Sequence, residues 1–148
     1  MNNNSMEVME KEVKQYIVVM IGNEQYGIDI RYVDNIVRMQ QITRVPKVQS
    51  YFKGIISLRG EIVPVMSIRR KMDLPDDEYT NASRIIILKL EEKGAIGIIV
   101  DEVREVVNLS EEQIDRNTNR GRFINGVGKH GEELISLLEI SATVEEPV

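Results

Sequence analysis

A chain of 148 residues with no cysteine, no tryptophan and a single histidine has room for one ordinary domain or two very small ones. The missing thiols exclude disulfide frameworks, thiolate zinc sites, iron–sulfur clusters and cysteine nucleophiles, and one imidazole, His130, excludes two-histidine metal sites. With 24 acidic against 19 basic side chains the net charge is −5, which speaks against a binder of duplex nucleic acid.

Residues 1–14 read as a flexible N-terminal segment whose first residues carry neither a basic region nor an apolar one, so neither a secretory signal nor a location outside the cytoplasm is expected. Residues 16–21 and 25–30 flank Gly22-Asn23-Glu24 and predict a first β-hairpin. Val33, Ile36 and Val37 follow at a spacing of three and four, which fits a bent strand or one helical turn. A second hairpin is predicted from residues 55–58 and 62–66 around Arg59-Gly60-Glu61, with Pro64 marking a sheet edge or a bend. Residues 69–72 are long enough for a turn of helix. Asp73, Asp76, Asp77 and Glu78 surround Pro75 in what reads as a solvated connector. Residues 85–90 and 95–100 form a third hairpin, Ser110 caps a short helical turn, a fourth hairpin turns within residues 128–131, and residues 138–144 form a last helical turn or two. The longest apolar runs are far short of the roughly 18 residues a membrane span needs, so no membrane insertion is expected.

The chain repeats itself weakly. Gly27, Val33, Ile36 and Val37 recur as Gly97, Val103, Val106 and Val107, an offset of 70 residues. Phe52, Gly54 and Val65 to Ile68 are echoed by Phe123, Gly126 and Leu137 to Ile140, where the offset drifts by a residue or two. Short strands repeated twice predict a mainly β fold of two small barrels, roughly residues 15–80 and 81–148, with strands free to exchange between them. Each half is near the lower size limit for independence, so the two are expected to pack through an apolar joint.

Catalytic chemistry is poorly supplied. No glycine-rich run opens a helix, the acidic loop lacks EF-hand spacing, and His130 sits in a turn-like stretch where an uncommitted imidazole is the plainer reading. No catalytic, metal or cofactor residue is assigned. Lys93 at a hairpin tip raises the alternative of a barrel-type cofactor-carrier domain, but Glu92 and Gly94 do not match the flanks of such lysines. Arg116, Arg120, Arg122 and Lys129 gather in one stretch that reads as a solvated basic loop. The outliers are Val33, Ile36 and Val37 with their repeats, apolar outside the alternation of a barrel strand, and Arg59, a lone cation in an apolar hairpin. The valines and isoleucine are read either as plain core or as an apolar groove between the copies, able to receive a partner's helix, and Arg59 either as a solvent-facing turn residue or as a guanidinium able to fork onto a carboxylate or carbonyl.

The run Tyr26-Gly27-Ile28-Asp29-Ile30 with Val33 and Ile36, then Gly54-Ile55-Ile56-Ser57-Leu58-Arg59-Gly60-Glu61-Ile62-Val63-Pro64, resembles the bacterial chemotaxis coupling family CheW, and the likeness continues through Gly97 to Val103 and the last hairpin. It implies two five-stranded SH3-like barrels related by duplication, with a few short helices. It also implies a non-enzymatic adaptor, without cofactor, that links the cytoplasmic tips of chemoreceptors to the regulatory domain of the histidine kinase CheA in membrane-associated arrays. The partner-binding residues carried over are Val33, Asn35, Ile36, Gly54 and Arg59, and more loosely Val106; at Asn35 some relatives hold a glutamate, so the amide here removes a charge. The alternative within the class is the adaptor domain of a related chemotaxis protein, CheV-like or a kinase regulatory domain, and an ending at Val148 favours the stand-alone coupler.

Overall fold

The structure, a computed structural model, describes residues 12–145. Strands β1 (Val13–Ile21) and β2 (Glu24–Asp29) make the first hairpin, and a 3-10 turn (Ile30–Tyr32) leads into β3 (Val33–Arg38). The second hairpin, β4 (Phe52–Leu58) and β5 (Glu61–Ser67), runs into helix α1 (Ile68–Lys71). Strands β6 (Arg84–Leu90) and β7 (Gly94–Val100) form the third and are followed by β8 (Glu102–Ser110). A 3-10 turn (Glu111–Gln113), the short β9 (Ile114–Asp115), the hairpin β10 (Ile124–His130) and β11 (Glu133–Leu138), and α2 (Ile140–Val144) complete the fold. It is mainly β with a few short helices, as the sequence predicts. Residues 1–11 of the expected flexible segment lie outside the described residues, and Val13 and Lys14 open β1.

The strands assemble into two sheets, in the orders β8-β1-β2-β11-β10-β9 and β3-β6-β7-β5-β4. Leaving aside β9, the orders correspond strand for strand: each sheet takes a hairpin from one copy of the repeat and three strands from the other. The exchange is sealed by two parallel pairings, Leu137 beside Gly27 and Val65 beside Gly97. One sheet has six strands instead of the expected five because Ile114–Asp115, released from the capped turn before it, adds onto β10.

Alternation along the strands divides the apolar residues into three clusters among the described residues. Ile56, Val63, Val65, Ile85, Ile87 and Ile99 fill the β3–β7 sheet, and Tyr16, Val18, Val107, Leu109, Ile114, Ile135 and Leu137 fill the other. The largest lies between the sheets and takes the opposite faces of the same strands, Ile17, Val19 and Ile21 from β1, Ile86 and Leu88 from β6, with Met66, Ile68, Ile98 and Ile140. Strands β1 and β6 are therefore covered on both faces, which is why they read as unbroken apolar runs.

Three local expectations are corrected. The last hairpin turns at residues 131–132, since His130 already pairs with Glu133, and Gly128 is buried within β10 where an added Cβ would stand 2.5 Å from Leu109 Cδ1. Pro64 is in an inner strand: Ile55, opposite it, directs its N–H and C=O outward to Thr43, and pairing with β7 begins only at Val65, so no ladder bond asks for the missing N–H. The acidic connector is solvated at Asp73, Asp76 and Glu78, as expected, but the Asp77 side chain is buried and accepts from Ser67 Oγ at 2.5 Å, and exposed Asp76 pairs with Arg70 at 2.8 Å.

Candidate partner-binding site

Entry into β3 is fixed locally. Asp29 accepts from the backbone N–H of Arg31 at 3.0 Å and from its guanidinium at 2.8 Å, which caps the 3-10 turn and sets the direction of the following strand. Burial pushes the Asp29 carboxyl up, but the Arg31 side-chain and backbone hydrogen bonds outweigh it and hold it below the usual carboxylate range. A bulge between Val33 and Asn35 then shifts the register against β6, and the Asn35 Oδ1 accepts from the Ile36 N–H at 2.9 Å. The amide of Asn35 is thereby turned to its own strand. Val33 ends half-buried against the central cluster, while Ile36 is 36% exposed.

The second copy repeats this on the other sheet. Val103 packs against the same central cluster and Val106, 70 residues after Ile36, is 51% exposed. β3 and β8 are both end strands, and their partners across the ladder explain the exposure: Ile36 lies beside Ile86 and Val106 beside Ile17, both buried in the central cluster. Residues paired across a ladder share a face. The apolar face between the sheets thus runs out to solvent at one matched position on each sheet.

Arg59 occupies the two-residue turn between β4 and β5 with φ +52, followed by Gly60 at +81, the pair of positive values that defines a type I′ turn. Its guanidinium meets no carboxylate among the described residues. Gly54 is different in kind. It is buried in β4 with φ +143, and a Cβ there would lie 2.1 Å from the Thr43 carbonyl oxygen, which bonds the Ile55 N–H at 2.8 Å. Its place is under the approach of residues 42–44, where it shapes the surface through the backbone.

Of the exposed apolar residues that escaped the sequence reading, two form a matched pair. Ile62 (69% exposed) and Leu134 (56%) are each the second residue of the returning strand of their hairpin, β5 and β11. The repeat was the available signal, because matched exposure on both sheets has no explanation in either core. The basic stretch is partly committed: Arg116 pairs with Glu111 at 2.6 Å and donates to Asn125 Oδ1 at 2.9 Å, which holds the Glu111 carboxyl below its ordinary value. Lys93 stays exposed at its hairpin tip, its Nζ 3.4 Å from the Val144 carbonyl. No group of acidic or histidine side chains able to hold a metal is found among the described residues.

These features have counterparts in known proteins. A family model described as a CheW-like domain matches residues 15–148. The chain belongs to this family. It is 31% identical to the chemotaxis protein CheW of Bacillus subtilis over 146 residues, covering 93% of each chain. It is 33% identical to that of Klebsiella aerogenes over 132 residues, covering 86% of this chain and 79% of the relative. The crystal structure of the scaffolding protein TtCheW from Thermoanaerobacter tengcongensis superposes with a TM-score of 0.83 at 29% identity, over 91% of this chain and 94% of that one. The fold and the family resemblance expected from the motif around Arg59 are both found, and the family is one of chemotaxis scaffold proteins. No helix among the described residues is long and apolar enough to cross a membrane.

Proposed function

We propose that this chain is a non-catalytic coupler that binds the cytoplasmic tips of chemoreceptors and the regulatory domain of the histidine kinase CheA, and is recruited in this way to membrane-associated receptor arrays. The observation that carries this reading is the apolar face between the sheets, which reaches the surface at Ile36 and Val106 on matched end strands. A receptor tip is a helical hairpin, and each apolar side chain it buries on that face gains about 25 cal/mol per Å² removed from water. Val33 and Asn35 shape the β3 end of the face, Gly54 shapes the backbone beneath the neighbouring loop, and Arg59 offers an uncommitted guanidinium suited to a partner carboxylate. Two surfaces on one small body suffice for coupling, since weak contacts linked in an array raise each other's effective concentration.

Co-sedimentation with a receptor fragment, with and without kinase, tests the reading. Ile36→Asp is expected to lose receptor or kinase binding while circular dichroism stays unchanged. Retention of both complexes by a folded variant sinks the assignment of the face.

A further inference from the structure

Arg38 and Arg84 stand directly opposite each other where the β3–β6 ladder opens. Like charges in that position repel, and nothing local offsets the pair: among the described residues no carboxylate pairs with either guanidinium. Arg84 is nonetheless held in place, its Nη1 donating to the carbonyls of Asn81 at 2.7 Å and Ser83 at 2.8 Å. Both arginines line a shallow depression with Met39, Thr80, Asn81 and Ser83. Met39 continues into a wider one lined by half-buried Ile42, Val45 and Phe52 and by exposed Val48, Arg44 and Lys47.

The charge here is unusual for this chain. Between Asp34 and Glu61 there are five basic residues and no acidic one, in a protein of net charge −5. Lys53 and Arg70, which also line the wider depression, are taken up by Asp76. Arg38, Arg44, Lys47 and Arg84 are left without a carboxylate among the described residues, around Val45 and Val48, which join no core cluster, and beside Ile42 and Phe52, which pack against the cores with part of their surface still open.

We propose that this face docks an acidic amphipathic segment of a protein partner. Carboxylates of the segment fork onto Arg38 and Arg84 and pair with Arg44 and Lys47, and its apolar side chains cover Ile42, Val45 and Val48. Guanidinium forks match carboxylates geometrically. The apolar lining between the cations favours a peptide over a polyphosphate, and the acidic remainder of the molecule opposes a nucleic acid. None of Val33, Asn35, Ile36, Arg59 or Val106 lines either depression; of the coupling residues only Gly54 borders the surface, through its contact with Ile42 and Thr43, and the proposal does not rest on the role given to it.

The probe is a fluorescein-labelled helical peptide built of Leu and Glu, with a counterpart in which every Glu is Gln, followed by fluorescence anisotropy and by amide chemical shifts. The Glu peptide is expected to bind, to weaken as salt rises from ~50 to ~300 mM, and to lose at least ~10-fold in affinity to Arg38→Gln/Arg84→Gln, with shifts confined to residues 38–50 and 79–84. Should Arg84→Gln disturb the fold, Arg38→Gln and Arg44→Gln/Lys47→Gln, all at exposed side chains, carry the same expectation. Equal binding by a folded charge-removed variant, equal binding of the Gln peptide, or shifts elsewhere overturns the proposal. Tripolyphosphate binding at Arg38 and Arg84 without peptide binding also overturns it and assigns the pair to a phosphate ligand.

Discussion

Arg69 and Asp101 bolt the two sheets together. The guanidinium on α1, which extends the β3–β7 sheet, donates to Asp101 through Nε at 3.2 Å and Nη2 at 2.5 Å, and Asp101 also accepts from the Gly22 N–H in the β1–β2 turn at 2.7 Å. The hydrogen bond to Asp101 raises the Arg69 pKa above its ordinary value. One carboxylate thus joins a helix of one sheet to a hairpin of the other. Asp101→Ala leaves a half-buried guanidinium and a turn N–H without their acceptor, and is expected to cost about 1–3 kcal/mol in urea unfolding. Because the face at Ile36 and Val106 is shared between sheets, the same variant is expected to weaken receptor co-sedimentation under conditions where it is fully folded.

Gly54 tolerates no side chain. An alanine there combines φ +143 with a Cβ 2.1 Å from the Thr43 carbonyl oxygen, so the bridge between Thr43 and Ile55 has to open. Gly54→Ala is expected to destabilise by about 2–3 kcal/mol, read as a lowered urea midpoint, and to speed hydrogen exchange at the Ile55 amide.

Arg59 separates stability from function. A non-glycine residue at φ +52 carries a cost that asparagine, the favoured first residue of a type I′ turn, largely avoids. Arg59→Asn is therefore expected to raise stability by about 0.5–1 kcal/mol while it weakens partner binding. A thermal melt and a pull-down with receptor and kinase fragments on the same sample read both effects. A variant that unfolds earlier and binds as well as the parent contradicts the role given to Arg59.

Acid is expected to loosen the acidic connector at Asp76. The Arg70 hydrogen bond, joined by the Asp77 backbone N–H, holds the Asp76 carboxyl well below the ordinary carboxylate range. A carboxyl with a depressed folded pKa contributes stability that is present above the unfolded value of about 4 and is lost as pH falls through the folded one. Stability is expected to decline below about pH 4, with Asp29 and Glu111 contributing in the same direction. In Asp76→Asn the fall in urea midpoint between pH 5 and pH 3 is expected to be smaller than in the parent, since the amide has no proton to take up.

The hairpins, the turns of the first three, the repeat and the poverty of catalytic groups are legible in the sequence, because these rest on neighbours a few residues apart or on composition; the last turn is not, since Gly128 looks like a turn residue until Leu109 packs over it. The motif around Arg59 carried the family. The rest came from contacts between distant parts of the chain. Gly22 finds its acceptor in Asp101, 79 residues away, and β2 pairs in parallel with β11; contacts at such separation leave no local trace. In β1 and β6 both faces are apolar, so alternation could not say which residues fill a sheet and which lie between sheets. For the same reason Ile62 and Leu134 looked like any other strand residues, and Asp77 looked solvated until the chain brought Ser67 to it. Pairing across the ladder placed Arg38 against Arg84, a juxtaposition 46 residues apart in sequence that only the register of two strands creates.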